Sequence, residues 1–247
     1  MDNQNNKFMQ FLEEKLMPAA TKLSGQRHLK AIRDGLMSTI PLTIIGGICL
    51  ILASPPVDPE LTKPTNLFNK FLLGWYDWAQ ANASAIITPY NMTMAIMSLF
   101  VAFAIGYSLG KHYEEEYGTD PLSSGVIAAV VFLLVAAPSD EGMIPTTYLD
   151  AKGLFTAMIV GLITVEITRG LLKKGATIKM PEGVPPAVSA SFTALIPMIA
   201  NVLLFYAINL ILISAVGKNI PEAIMSALTP ALKGADTIWF MLVIVII

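Results

Sequence analysis

Apolar runs about as long as a bilayer is thick constrain this chain more than any other feature. Five of them, at residues 36–53, 84–109, 122–137, 153–168 and 187–216, are separated by polar connections, and a sixth opens at Thr237 and reaches Ile247. A helix needs roughly 20 residues to cross about 30 Å of hydrocarbon, so the third and fourth runs are short unless their flanks extend them, while the second and fifth are long enough to tilt or protrude. Charged residues make up only 14% of the chain and mean hydropathy is +0.62, against about 25% charge in an ordinary soluble domain. The fold class expected is therefore an all-α polytopic membrane protein, with five transmembrane helices and the start of a sixth. Pro41, Pro89 and Pro197 fall inside these runs, which membrane helices tolerate when neighbours satisfy the freed carbonyl groups.

Several function classes drop out early. The first apolar run follows a long polar lead and is itself followed by Pro55 and Pro56, so it reads as a retained anchor and not as a cleaved signal peptide. Cys49 is the lone cysteine and sits inside that run, a small buried hydrophobe with no disulfide or cofactor role. His28 and His112 lie outside the runs and have no partner at metal-ligand spacing, so no metal is expected. A phosphate-binding glycine loop is absent, leaving any nucleotide energy to another protein. Net charge is -2 and the basic residues form no continuous face, which argues against nucleic acid.

Orientation follows from the basic residues in the connections. Lys7, Lys15, Lys22, Arg27, Lys30, Arg33, Lys111, Arg169, Lys173, Lys174 and Lys179 fall on one side, and Lys63, Lys70, Lys152, Lys218 and Lys233 on the other. The excess places the amino terminus in the cytoplasm. Residues 1–35 form a cytoplasmic lead in which Phe8, Phe11, Leu12 and Leu16 share one helical face, the pattern of an interfacial amphipathic helix or, equally, of a helix packed on the protein's own cytoplasmic surface. A five-span domain follows at 36–216, and residues 217–247 hold a surface helix, with Ile220, Ala223, Ile224 and Ala227 at helical spacing, leading to the sixth run. Between the first two spans, residues 68–78 carry aromatic rings that favour the headgroup level; stacking of a sugar on such rings is the alternative.

Polar residues at membrane depth mark candidate sites. Glu166 is the carboxylate placed well inside an apolar run, and Arg169 lies three residues on, on the same helix face. A charge there is costly unless paired or open to a water path, so the two form either a structural pair or part of a coupling route. Asn91, Thr93, Asn201 and Asn209 supply amides and hydroxyls suited to bonding between helices, with a substrate hydroxyl as the alternative partner, and Gly46, Gly47, Gly106, Gly110 and Gly161 allow helices close approach. Residues 180–197 concentrate constraint: Pro181, Pro185, Pro186 and Gly183 hold a turned or extended path, and Ser189 then begins or lines the helix that follows. Such irregular backbone beside a span suits a substrate path, and it equally suits a firmly stopped connection.

These residues resemble the membrane component, IIC, of the bacterial phosphotransferase system for lactose, cellobiose and related β-linked disaccharides. The likeness rests on the lead at 11–20, the stretch 28–37 entering the first span, residues 148–155 opening the fourth, and above all Pro181-Glu-Gly-Val-Pro-Pro-Ala-Val-Ser-Ala-Ser-Phe192, followed by Ala194-Leu-Ile-Pro197. It implies a homodimer of subunits of roughly ten spans, in which the first five largely build the dimer contact. It also implies that a phosphorylated IIB partner, recharged through IIA, transfers its phosphoryl group to the 6-hydroxyl of a β-disaccharide during uptake. By the same resemblance Glu182, Pro185, Pro186 and Ser189 belong to the family's block and line the path or shape its cytoplasmic mouth, and Trp239 is a sugar-stacking candidate. No catalytic residue and no cofactor is expected in this chain. The family's sugar-contacting histidine and glutamate are expected beyond Ile247, so the chain reads as an amino-terminal portion. Two other functions compete: a non-transporting scaffold that keeps only the oligomerising half, and an unrelated secondary transporter in which Glu166 carries coupling.

Overall fold

The computed structural model describes residue 17 and residues 25–138, 142–178, 180–181 and 183–235, with side chains omitted at 186–187 and 231–235. The expected amphipathic lead and the run from Thr237 lie outside the described residues, as do Glu182 and Trp239. Among the described residues the regular elements are helical: α1 (Arg27–Ser38), α2 (Ile40–Ala53), α3 (Leu67–Ala81), α4 (Ala83–Asn91), α5 (Met97–Tyr117), α6 (Pro121–Ala136), α7 (Leu154–Lys173), α8 (Pro186–Val216) and α9 (Ile220–Ala235).

Four stretches are long and apolar enough to cross a membrane: Arg27–Ala53, Ala83–Tyr117, Ala151–Lys173 and Val188–Val216. The expected count of five is thus met only in part. The third apolar run forms α6, of 16 residues, which rises about 24 Å against roughly 30 Å of hydrocarbon. Pro121 opens it and Pro138 follows it, and neither flank extends it. The fourth run, expected to be short, gains length at both ends.

Of the prolines within the apolar runs, one adjoins a break. Pro41 brings no N–H to bond Met37, and the chain turns at Thr39 between α1 and α2. Pro89 lies inside α4, which runs on to Asn91; a 3-10 turn then occupies Met94–Ile96 and α5 starts at Met97. The Thr93 hydroxyl donates to the Pro89 carbonyl at 2.6 Å, so this hydroxyl bonds within its own segment and not between helices as expected. Pro197 sits inside the 31-residue α8 without breaking it.

The chain divides into two compact units. The first comprises Met1–Met37, Ala102–Val131 and Met158–Phe205. Its core includes Ala31, Ile105, Leu109, Ile127, Val160 and Val165, all at most 2% exposed. Small residues decide how closely α5 and α6 pack there: a Cβ on Gly106 would lie 2.6 Å from that of Ala128, and one on Gly110 would lie 2.7 Å from that of Ser124. Close backbone approach gives van der Waals contact where lipid removes the usual hydrophobic drive.

The second unit comprises Ser38–Val101, Phe132–Ala157 and Tyr206–Ile247. Here α2 packs against α4 and the 3-10 turn. The Ser98 amide donates to the Leu149 carbonyl at 2.9 Å and its hydroxyl donates to the Asp150 carbonyl, pinning the connection ahead of α7 to the start of α5. α9 forms where the spacing predicts a surface helix, and it is firmly capped. Asn219 Oδ1 accepts from the Glu222 amide at 2.9 Å, Glu222 Oε2 accepts from the Asn219 amide at 3.1 Å, and the buried Asn209 Oδ1 accepts from the Ile220 amide at 3.0 Å. The reciprocal pair is a capping box, which satisfies two otherwise orphaned helix donors.

Candidate functional site

The proline-rich block leads straight into α8 and works as a helix start. The Pro185 carbonyl accepts from the amides of Val188 and Ser189 at 3.0 and 3.1 Å, and Pro186 occupies the first helical position, where a missing N–H loses nothing. Ser189 in the first turn is half-buried and lines a cavity of about 110 Å³. Its other polar lining residues come from α6 and α7 and from the turn ahead of α6: Asp120, Ser123, Ser124, Thr168 and, again from α8, Thr193.

Local bonds explain how that cavity is held. Asp120 accepts from the Ser123 amide at 2.7 Å, capping α6, and Thr119 donates to the Gly110 carbonyl at 2.6 Å, tying the turn back to α5. Asn201 is fully buried and sits one turn beyond Pro197. Its Nδ2 donates to the Pro197 carbonyl at 2.9 Å, and to the Thr164 carbonyl and Thr168 hydroxyl at 3.3 Å each. This amide links α8 to α7, the role expected of it. Ser124 Oγ and Asn201 Oδ1 are buried with no partner among the described residues. A carboxylate and several hydroxyls around a small recess suit water or the hydroxyl groups of a polar solute.

A charged and aromatic cluster occupies another face of α7. Glu166 Oε1 accepts from the Tyr113 hydroxyl at 2.6 Å and lies 2.9 Å from His28 Nε2. Glu166 Oε2 accepts from Arg169 Nε at 2.8 Å, and Arg169 Nη2 lies 2.5 Å away. The Arg169 guanidinium also stands over the rings of Tyr113 and Tyr117, 4.9 and 5.2 Å from their centroids. Arg27 pairs with Glu116 at 2.6 Å and faces Tyr113 at 5.2 Å. Glu166 is 27% exposed, and a carboxylate at that depth is stable when charge-assisted donors surround it. Three helices, α1, α5 and α7, thereby converge on one side chain.

The structure brings together Glu166 and Arg169 and adds His28, Tyr113 and Arg27, which spacing could not reveal because they come from other helices. It brings Ser189 to the cavity, whereas Pro185 is exposed and is not among the cavity's lining residues. Asp120, Ser124 and Thr168 were missed as lining residues. Asp120 before Pro121 carries a readable helix-start signal, but nothing local points it at α8. Among the described residues no group of three or more His, Cys, Asp or Glu could hold a metal ion.

Comparison with known proteins fits this arrangement. Residues 33–247 match the family described as Phosphotransferase system, EIIC. The lichenan permease IIC component of Bacillus subtilis (strain 168) is 40% identical over 220 residues, covering 83% of this chain and 45% of that protein. The cellobiose-specific EIIC component of Geobacillus stearothermophilus is 36% identical over 221 residues, covering 84% and 46%. The crystal structure of ChbC, the IIC component of the N,N'-diacetylchitobiose-specific phosphotransferase system, superposes with a TM-score of 0.77 at 36% identity, covering 94% of this chain and 54% of that one. The chain spans about half the length of the relatives it matches. With the family matched from the middle of α1 onwards and the fold shared with a solved IIC transporter, the chain belongs to the phosphotransferase system EIIC family.

Proposed function

We propose that this chain is part of the membrane permease of a bacterial phosphotransferase system and serves the uptake of a β-linked disaccharide of the cellobiose kind. The observation that carries the reading is the family match over residues 33–247. It is supported by relatives named for lichenan, cellobiose and diacetylchitobiose, all β-linked carbohydrates. A phosphorylated IIB protein, recharged through IIA, would pass its phosphoryl group to the sugar's 6-hydroxyl, which gives up its proton. The product is an anion that cannot leak back through the hydrocarbon.

In this reading the described helices supply the frame and one wall of the path. Ser189 contributes a hydroxyl to the recess at the head of α8, and Glu182, Pro185 and Pro186 shape the cytoplasmic mouth. Trp239 is a stacking candidate for the sugar. The Glu166 and Arg169 pair serves structure: its donors already saturate the carboxylate. The amino terminus lies in the cytoplasm, in keeping with the basic bias. The exposed apolar face of α2, with Ile44 and Ile48, suits lipid, and that of α8, with Leu203 and Ile211, suits lipid or a second copy in a homodimer.

The test is disruption of the gene as its genome encodes it, followed by phosphoenolpyruvate-dependent phosphorylation of cellobiose, lactose and diacetylchitobiose by membranes supplied with the soluble phosphotransferase proteins. Loss of phosphorylation of one of these sugars, restored by the gene, is expected. Unchanged phosphorylation together with loss of proton-driven uptake of free sugar would make the protein a secondary transporter. No change with any sugar would leave a scaffold.

A further inference from the structure

Helix α3 has a surface that neither the core nor the sugar path uses. Its 15 residues carry an apolar stripe in which Phe68, Phe71 and Trp78 are 66%, 64% and 51% exposed. Trp75 belongs to the same stripe and fixes the helix in place: its Nε1 donates to the Leu52 carbonyl at 3.0 Å, at the carboxyl end of α2. Immediately beyond that end come Pro55, Pro56, Asp58 and Glu60, so the chain leaves the hydrocarbon there. α3 is thus held at the level of the bilayer surface, where indole rings settle best.

Between the two helices runs a shallow, almost wholly apolar groove of about 580 Å³, lined by Leu52, Lys70, Phe71, Gly74, Trp75 and Trp78. Gly74 leaves its floor open, since a Cβ there would meet nothing within 4 Å. Leu52 joins the groove to the exposed face of α2 formed by Ile44, Ile48 and Ile51, a face that a membrane span turns to lipid. Lys70, exposed, is the cation on the groove's wall.

We propose that this groove binds an anionic phospholipid, with an acyl chain along Phe71, Gly74 and Trp78 and the headgroup phosphate at the Lys70 ammonium. The occupant follows from two features: the groove continues a lipid-facing apolar surface, and its charge is complementary to a phosphodiester. An interfacial helix with one basic residue over an apolar face has this geometry.

Bromine-labelled lipids test it through the emission of Trp75 and Trp78, with the chain carrying Trp239→Phe and reconstituted in phosphatidylcholine. Brominated phosphatidylglycerol should quench at up to about fivefold lower mole fraction than brominated phosphatidylcholine, the preference that about 1 kcal/mol from one exposed ammonium–phosphate pair confers. Lys70→Gln should equalise the two lipids. Gly74→Leu should weaken quenching by both, with Lys70 intact. Equal quenching in the parent, or a preference that survives Lys70→Gln, overturns the proposal. So does quenching that rises as the chain is diluted in the bilayer, which would mean that a second copy covers the groove, or emission that responds to cellobiose instead of lipid.

Discussion

His28 and Glu166, 138 residues apart in sequence, meet across 2.9 Å. The contact ties the start of α1 to the carboxyl-terminal half of α7, and Tyr113 from α5 shares the same carboxylate oxygen at 2.6 Å. A pair that the sequence suggests is local, Glu166 with Arg169, is in fact the hub of a clasp joining three helices.

Glu166→Gln should keep a hydrogen bond to Tyr113 and lose the charge that holds Arg169. Because the cluster is only partly buried, the expected loss is about 1 kcal/mol of stability, read as a lower unfolding temperature in detergent. Sugar uptake should stay close to the parent's. Loss of uptake at normal membrane abundance would instead assign Glu166 to coupling.

Asn201→Leu should cost about 1 kcal/mol, since it removes bonds from α8 to the Thr164 carbonyl and Thr168 hydroxyl in a setting where interhelical bonds are worth that order. Thermal unfolding measures it. Asn91→Leu, at an exposed position at the end of α4, should change little.

Gly110→Val and Gly74→Val form a contrast. At Gly110 the new Cβ would fall 2.7 Å from Ser124, forcing α5 and α6 apart at a cost of about 1–3 kcal/mol. At Gly74 it would meet open space. Size-exclusion profiles should show aggregation for the first variant and a parent-like peak for the second.

Tyr148 lies outside the spanning helices, and burial pushes its hydroxyl above the ordinary tyrosine range, with the Glu222 carboxylate adding to the shift. The folded state therefore holds the proton more tightly than the unfolded chain. The associated stability is complete below pH 10, the usual tyrosine value, and is lost as pH rises through the folded value. Unfolding temperatures above pH 10 should fall more steeply for the parent than for Tyr148→Phe.

The orientation can be read by labelling single cysteines in a Cys49→Ala background. Lys174→Cys, beyond the end of α7, should react with an impermeant maleimide only after the cells are opened. Glu60→Cys, beyond the end of α2, should react in intact cells. The reverse pattern would invert the assigned topology.

Much of the frame was legible because a bilayer imposes a one-dimensional rule on composition: enough apolar residues in a row must span it. The run at 187–216 therefore emerged close to the observed α8, and the proline block marked its start through the missing N–H groups. Helix breaks were less legible. Pro197 leaves α8 whole whereas Pro89 is followed by a 3-10 turn, and no local pattern separates the two.

The sequence by itself determined that this is a helical membrane protein with Arg169 within reach of Glu166, because hydropathy and i,i+3 spacing are properties of a single helix; its likeness to the EIIC family rested instead on particular motifs, above all residues 181–197. Only the tertiary structure decided that His28, Tyr113 and Arg27 join that pair, that Ser189 shares a recess with Asp120, Ser124 and Thr168, and that Trp75 fastens α3 to the end of α2. Those are contacts between helices, and they depend on how each helix is rotated and how closely small residues such as Gly106 and Gly110 let the backbones approach, which no single helix encodes.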